Sequence, residues 1–550
     1  MKRLSLLLNT VRYLKVRQLY YQVFYRVRKP RLNPPPTPVL RGVLKDWRGA
    51  AFIEPATDDG KTFTFLGQTA CLNGDWNDPS FPKLWLYNLH YQDDLNAKGA
   101  GLCFELCEQM VDAWVAGNRP LQGNGWEPYC LSLRLVNWVK WLARLEAGQV
   151  KPGWLRSLAC QADALEQQLE FHILANHLLA NAKALVFVGV FLGGDQRDRC
   201  LKRGLALLDE ELREQFLEDG AHYELSPMYH ATLLWDLADL LALRKASGLP
   251  ELEQRANAWQ AYFLKGLEWL RAMIHPDEEI AFFNDATLGI APTLQDLRAY
   301  GVHLGIALPP ISVPQTLRGQ WLRSSGYAVI DWPEGHRLLV DVARIGPDYQ
   351  PGHAHADTLS YELSLFGQRI LVNSGISQYG EDAERQRQRS TAAHNTVEVD
   401  SENSSEIWAG FRVARRARPF NVDLQESQEK LCLRASHDGY KRLPGKVVHH
   451  RCWLATDETL QIEDELHGCF QQAIAHLHFH PEVVVESEGE SRFKAHLPDG
   501  RAVMLEVLGG NARLLNSSWH PRFGVSMSNK KLLLEFTGSK LTTRISWSSH

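Results

Sequence analysis

Tyr327-Ala328-Val329-Ile330-Asp331-Trp332, then Pro333-Glu334-Gly335, then Arg337-Leu338-Leu339-Val340-Asp341-Val342: two apolar, β-branched runs joined by a Pro-Glu-Gly turn. Runs of this length and composition, bounded by turn formers, read as a β-hairpin. The two-residue period persists downstream. Leu359, Tyr361, Leu363 and Leu365 alternate with Ser360, Glu362 and Ser364, and Gly367 breaks the run before Ile370 to Val372. Further strand patterns follow at 447–454, 459–463, 502–507 and 531–536. Upstream of Pro309, Pro310 and Pro314 the period is helical, from about 85 to 305. Leu131, Leu135, Trp138 and Leu142 share one stripe, as do Leu233, Leu237, Leu240 and Leu241, and 155–170 and 200–216 repeat the pattern. Amphipathic helices in such number predict an all-α array, a toroid of helix pairs or a solenoid. Without a fixed sequence period a short-repeat solenoid is disfavoured. The expected fold class is therefore multidomain α+β, with an N-terminal (α/α) toroid followed by a C-terminal antiparallel β-sandwich.

The 550 residues exceed what one core holds. The expected division is a basic amphipathic arm at 1–40, the toroid at 41–315 and the sandwich at 316–550. Residues 1–32 are basic, with Tyr20, Tyr21, Phe24 and Tyr25 clustered, and read as a helical arm ended by Pro34-Pro35-Pro36 and Pro38. Packing on the body is the favoured reading, contact with a membrane surface the less favoured one. Sixty basic against 64 acidic side chains leave a net charge of −4, which excludes a whole-protein basic field for nucleic acid. Nine cysteines without a CxxC pair predict reduced, mostly buried thiols rather than a disulfide framework or thiolate zinc site. Leu4 to Leu8 is too short for a secretory signal and Ala184 to Leu192 too short for a bilayer. A cytoplasmic location is expected, a periplasmic one the alternative, with no transmembrane segment.

Four constellations bear chemistry. Phe171 to Leu192 is apolar except for His172, Asn176, His177, Asn181 and Lys183. A helix apolar nearly all round is buried, and its polar side chains must find partners or line a cleft. Glu218 to His230 packs Tyr223, Glu224, Tyr229 and His230 between Gly220 and a helix starting near Tyr229. Gly352-His353-Ala354-His355-Ala356-Asp357 sets two imidazoles at i and i+2, a spacing that shares one face of a strand and suits a metal ligand beside a base. Arg389 to Val397 adds His394, within a stretch (385–418) where seven arginines meet four acids, a candidate anion-binding edge.

Together with Leu84 to Tyr91, Trp126-Glu127-Pro128-Tyr129, Ser132-Leu133-Arg134 and His478-Phe479-His480-Pro481, these segments resemble the heparinase II/III-like lyases over most of the chain. The resemblance implies an (α/α) toroid joined to an antiparallel β-sandwich with a polymer cleft between them. It also implies β-elimination on uronic-acid polysaccharides, heparan sulfate and alginate among them. Carried over by motif, Asn176 with His177 would hold the uronate carboxylate. Tyr229 would be the acid, and for some substrates the base, with His353 the base on the other side of the sugar. Glu127, Tyr129, Arg134, Glu224, His230 and Arg389 are the expected substrate contacts. His355 and His394 match metal ligands, zinc being the expected ion, and no organic cofactor is implied. Two departures stand out: the third ligand position carries Asn373, a poorer donor than carboxylate, and Ala231 stands where alginate-cleaving relatives have Arg.

The chemistry suits these residue types. Removing the C5 proton beside a uronate builds charge on the carboxyl, which fixed donors stabilise in the transition state. A neutral imidazole is a fitting base near neutral pH. A sulfated glycosaminoglycan, a hyaluronan-like polymer and an acidic exopolysaccharide all qualify as substrate. The alternatives are a toroid glycoside hydrolase, with Glu127, Glu224 and Asp285 as candidate carboxylates, and a non-catalytic acidic-glycan-binding protein.

Overall fold

The Pro333-Glu334-Gly335 turn closes an antiparallel hairpin, Tyr327–Asp331 against Arg337–Asp341, with Val329 opposite Leu339. The structure is a computed structural model that describes residues 2–32, 38–44, 47–311, 314–427 and 430–548; Pro34 to Pro36, the expected end of the arm, lie outside them. The hairpin is buried on both faces. Ala328, Ile330, Leu338 and Val340 enter the core of the β region, whereas Tyr327, Val329 and Leu339 enter a separate cluster with Leu225, Trp269, Met273 and Phe283 of the helical region. Period-two alternation here sorts side chains between two cores, which is why few polar residues interrupt it.

The helices are α1 (Lys2–Val11), α2 (Val16–Val27), α3 (Lys83–Tyr91), α4 (Phe104–Gly117), α5 (Pro128–Leu142), α6 (Pro152–Glu166), α7 (Ala175–Phe191), α8 (Asp195–Gln215), α9 (Pro227–Ser247), α10 (Pro250–Glu253), α11 (Ala256–Ala272), α12 (Leu294–Leu304) and α13 (Ala383–Gln388). The α5 stripe Leu131, Leu135, Trp138 and Leu142 is buried, and Pro128 opens that helix where no amide partner is needed. Almost every side chain of α7 is buried. It lies close against α8 because Gly204 has no side chain: a Cβ there would sit 2.9 Å from the Ala182 carbonyl. Lys183, the one lysine in this apolar helix, donates to Asp236 and Asp239 of α9 at 2.6 Å, and Asp239 also takes Lys140 of α5. One buried ion cluster thus ties three helices together.

The strands form three main antiparallel sheets. A five-stranded meander runs Arg318–Leu322, Tyr327–Asp331, Arg337–Asp341, Tyr361–Leu365 and Gln368–Leu371. An eight-stranded sheet begins at Pro419–Glu426 and ends at Val484–Ser487, with Lys540–Ser546 inserted between Thr459–His467 and Ala502–Leu508. A four-stranded sheet orders Gly510–Trp519, Met527–Phe536, Ala473–His478 and Val397–Val399. In the second of these, Asp464 takes Arg451 and His449, each at 2.6 Å. Burial alone would raise the Asp464 carboxyl, but Arg451 and His449 outweigh it and hold it at about 2. A depressed carboxylate contributes stability that is present above its unfolded value and lost as pH falls through the folded one. Acid unfolding followed by circular dichroism should therefore show about 2 kcal/mol of stability draining between roughly pH 4 and pH 2, and Asp464→Asn should remove that segment of the profile.

The arm packs on the body, as favoured from its sequence. Tyr21 meets the Phe171 ring at 4.7 Å, the Tyr25 hydroxyl donates to Leu169 and Lys15 pairs with Glu214. At its other end the Trp408 indole donates to Thr10 and Arg416 lies 3.9 Å over the Tyr13 ring, so the arm touches both regions. All nine cysteines are free. Four are buried, but Cys71, Cys103 and Cys469 are exposed, since they sit outside the apolar stripes that decide burial. Among the described residues no helix is long and apolar enough to cross a membrane.

Candidate active site

Three segments meet at Asp285. The loop after α11 (Phe283-Asn284-Asp285) runs between the two regions, with Asn284 in the left-handed conformation that asparagine tolerates (φ 57°). Its side-chain amide donates to the Leu225 carbonyl, its carbonyl oxygen accepts from the His355 amide, and its own amide donates to Asp357. Asp285 is thereby fixed beneath the 353–357 loop. Its carboxylate accepts from His353 Nδ1 at 2.9 Å, from His355 Nε2 at 2.8 Å and from both ends of the Arg385 guanidinium at 2.5 and 2.7 Å. Burial works against this charge, but Arg385 and the two imidazoles hold the carboxyl well below its ordinary range. The two histidines converge on one carboxylate although their segment is a loop and not a strand.

A carboxylate can only accept, so His353 carries its proton on Nδ1 and leaves Nε2 open. That nitrogen lies 3.5 Å from Glu224 Oε2. Glu224 is buried, which pushes its carboxyl upward, and its other oxygen accepts from the Asn176 amide at 3.2 Å. Asn176 and His177 stand in the first turn of α7, where unpaired amides and the helix dipole favour an anion. His177 Nδ1 pairs with Glu170 at 2.9 Å, and the Tyr129 ring lies 4.4 Å away. Burial opposes a charged ring, but the Glu170 carboxylate outweighs it and lifts His177 above the usual histidine range.

Tyr229 enters from the first turn of α9, whose cap Ser226 accepts from the Tyr229 amide at 3.3 Å. Its ring stacks on His353 at 3.8 Å and its hydroxyl meets the Tyr379 hydroxyl at 2.9 Å. Burial, with Tyr379 and Asp285 nearby, raises the Tyr229 phenol well above its ordinary value. The proton stays on this phenol at neutral pH.

Other expected positions fall elsewhere. Arg134 is buried over Trp114 and donates to Gln161 and to the His90 and Gly125 carbonyls. His230 is buried between the His222 amide and the Gly266 carbonyl. Arg389 spends its donors on the Ala354, Ala409 and Gly410 carbonyls. All three are buried, and their hydrogen bonds run to backbone groups and, for Arg134, also to the Gln161 side chain. The arginine-rich stretch is likewise occupied internally, with Arg415 on Glu406 and Arg416 and Arg418 on Asp348. Glu127 pairs with Lys83 and accepts from the Tyr87 hydroxyl.

Asn373 is not with the histidines as a donor. Its amide donates to the Phe282 carbonyl and its oxygen accepts from the Asn395 amide. Asp357 takes that place, forming with His355 and His394 a buried set whose donor atoms lie within 4.8 Å of one another. The proton positions favour a cation there. His394 Nδ1 donates to the Ser390 carbonyl at 2.7 Å, so its Nε2 is bare. Burial lowers His355 to about 4, so it is neutral, and its single proton goes to Asp285. Two lone pairs then face each other across 3.0 Å beside a carboxylate, an arrangement a divalent ion relieves.

Two family profiles match the chain: Heparinase II/III N-terminus over residues 116–300 and Heparinase II/III-like, C-terminal over residues 314–548. The chain belongs to the heparinase II/III-like family. A heparin-sulfate lyase of Bacteroides stercoris is 25% identical over 247 residues, 42% of this chain and 36% of that protein. The heparin-sulfate lyase of Pedobacter heparinus is 24% identical over 270 residues, 46% of this chain and 39% of that protein. The match thus spans well under half the length of these curated relatives. The crystal structure of heparinase III superposes with a TM-score of 0.69 at 16% identity, over 96% of this chain and 89% of that one. Such a likeness confirms for this heparinase II/III-like chain the fold class of helical toroid plus antiparallel β-sandwich.

Sequence reasoning missed three residues of the site or gave them another part. Asp285 stood only among hydrolase carboxylates, Arg385 only in the arginine-rich stretch, and Tyr379 carried no local signal, because only the fold brings the loop at 379 and α13 against α9 and the 353–357 loop.

Proposed function

We propose that the chain is a polysaccharide lyase that cleaves a uronic-acid polymer by β-elimination and leaves a 4,5-unsaturated uronate end. The observation that carries this reading is an imidazole with one open nitrogen, oriented by an ionised carboxylate, stacked on a tyrosine that keeps its proton. Asn176 and a charged His177, in the first turn of α7, bind the uronate carboxylate and stabilise the charge that builds on it. His353 Nε2 takes the C5 proton. Tyr229, too weak an acid to be a ground-state base, donates its proton to the departing O4, and Tyr379 holds that hydroxyl in line. Glu224, kept protonatable by burial, completes the ring of donors around the carboxylate. A hydrolase needs a protonated and an ionised carboxyl facing each other across the bond. Buried Glu224 could serve as the acid, but Asp285 has both oxygens taken by Arg385, His353 and His355 and Glu127 is paired with Lys83, so neither is a free ionised carboxylate opposite it. The relatives named as heparin-sulfate lyases support an acidic glycosaminoglycan or a similar uronate polymer as substrate.

The test is a panel of uronate polymers followed at the ultraviolet absorbance of the unsaturated product. Rising absorbance with matching chain shortening supports elimination. New reducing ends without absorbance would establish hydrolysis instead, and binding without shortening would leave a glycan-binding protein.

His355, Asp357 and His394 would hold the metal, which when bound supplies charge that orders this side of the site. Zinc added to chelator-stripped protein should be retained stoichiometrically and should raise the melting temperature, by about 2.7 kcal/mol of stability at a hundredfold excess over Kd. Retention should disappear in His394→Ala and Asp357→Ala and persist in Asn373→Ala. Loss in the last variant alone would return the ligand role to Asn373.

A further inference from the structure

We propose that the N-terminal arm docks this protein on an anionic lipid surface. Helix α1 places Leu4, Leu7, Leu8 and Val11 at i, i+3, i+4 and i+7, the spacing of a single apolar stripe, and all four are exposed. Helix α2 repeats this with Val16, Tyr20, Val23 and Val27, Val16 and Val27 being 82% and 81% exposed. Its inward side carries Gln18, buried and donating to the Ile173 and Tyr349 carbonyls, beside Tyr21 and Tyr25, whose rings pack on Phe171 and His172. Polar and aromatic contacts hold the helix to the body, and its aliphatic stripe is turned to solvent. Scattered exposed leucines need no explanation, but an exposed aliphatic stripe on each of two consecutive helices does.

Charge selects the occupant. No acidic residue precedes Asp46. Arg3, Arg12, Arg26, Arg28 and Lys29 are exposed and pair with no carboxylate among the described residues. A second copy would bring cations against cations. An anionic bilayer satisfies both features at once: its acyl boundary takes the aliphatic stripe, its phosphates take the arginines and Tyr20 sits at the headgroup level. At 10 and 12 residues the helices are too short to span and would lie in the interfacial plane. The body contacts of the arm persist in this pose because they use the opposite side, Gln18, Tyr21 and Tyr25.

The full chain would be sedimented with vesicles of phosphatidylcholine alone and of phosphatidylcholine containing one third phosphatidylglycerol. Binding should be confined to the anionic vesicles and should weaken with salt. Arg26→Glu with Arg28→Glu should weaken it by about 30-fold or more, from roughly 1 kcal/mol per lost cation. Leu8→Glu with Val23→Glu should reduce it to background. These sites are exposed, and unchanged melting temperature and polymer cleavage would show that the body is intact. Absence of binding to either vesicle, or binding indifferent to both variants, overturns the proposal. Loss in the stripe variant of a concentration-dependent mass increase, without vesicle binding, would overturn it in favour of self-association.

Discussion

Tyr229→Phe should lower kcat by about 10³-fold while leaving KM and melting temperature close to wild type. General acid–base groups contribute roughly 10²–10⁴-fold, and the phenol hydroxyl is the group on His353 that keeps a proton to give. The ring that stacks on His353 at 3.8 Å is retained in phenylalanine, so packing is preserved. Among the described residues the lost hydroxyl bonds only to Tyr379. Product absorbance under saturating polymer is the measurement. A variant with wild-type kcat would remove Tyr229 from the chemistry and pass the acid role to Tyr379, which Tyr379→Phe would then reveal.

Asp285→Asn should be the most damaging single change. The carboxylate answers the fully buried Arg385 and both histidines of the 353–357 loop. The amide leaves a buried guanidinium without its countercharge, which costs about 3–5 kcal/mol. It also presents an NH2 where His353 Nδ1 needs an acceptor. The imidazole then turns or changes tautomer, and its open nitrogen no longer faces the cleft. Comparable carboxylate–histidine pairs lose about 10⁴-fold in kcat on this substitution. Melting temperature and kcat measured together separate the two effects. Arg385→Met in the same background should restore stability and leave kcat low. A double variant that recovered both would reduce Asp285 to a structural counterion.

How far the site was legible in the sequence depends on how each residue is held. Asn176, His177, Tyr229 and His353 lie in dense local motifs, and the structure brings them together. Arg134, His230 and Arg389 also lie in motifs yet are spent mainly on backbone groups, because a motif does not say which way a side chain turns. Asp357, given no part from the sequence, stands with His355 and His394 where Asn373 was expected, for the same reason. Asn373 has a single side-chain oxygen, which the Asn395 amide takes, whereas the Asn284 amide takes only one of the two Asp357 oxygens.

The sequence by itself determined the division into a helical and a β region, the burial of α7 and the family. Hydrophobic period and turn residues are local properties that survive any arrangement of the elements, and order along the chain is enough to show a family. Only the tertiary structure decided that Asp285, Tyr379 and Arg385 belong to the site, that the hairpin at 327–341 feeds two cores, and that the arm turns its aliphatic stripe outward. Each of these joins residues far apart in the chain, and is fixed by which surface another element leaves open rather than by anything its own neighbours encode.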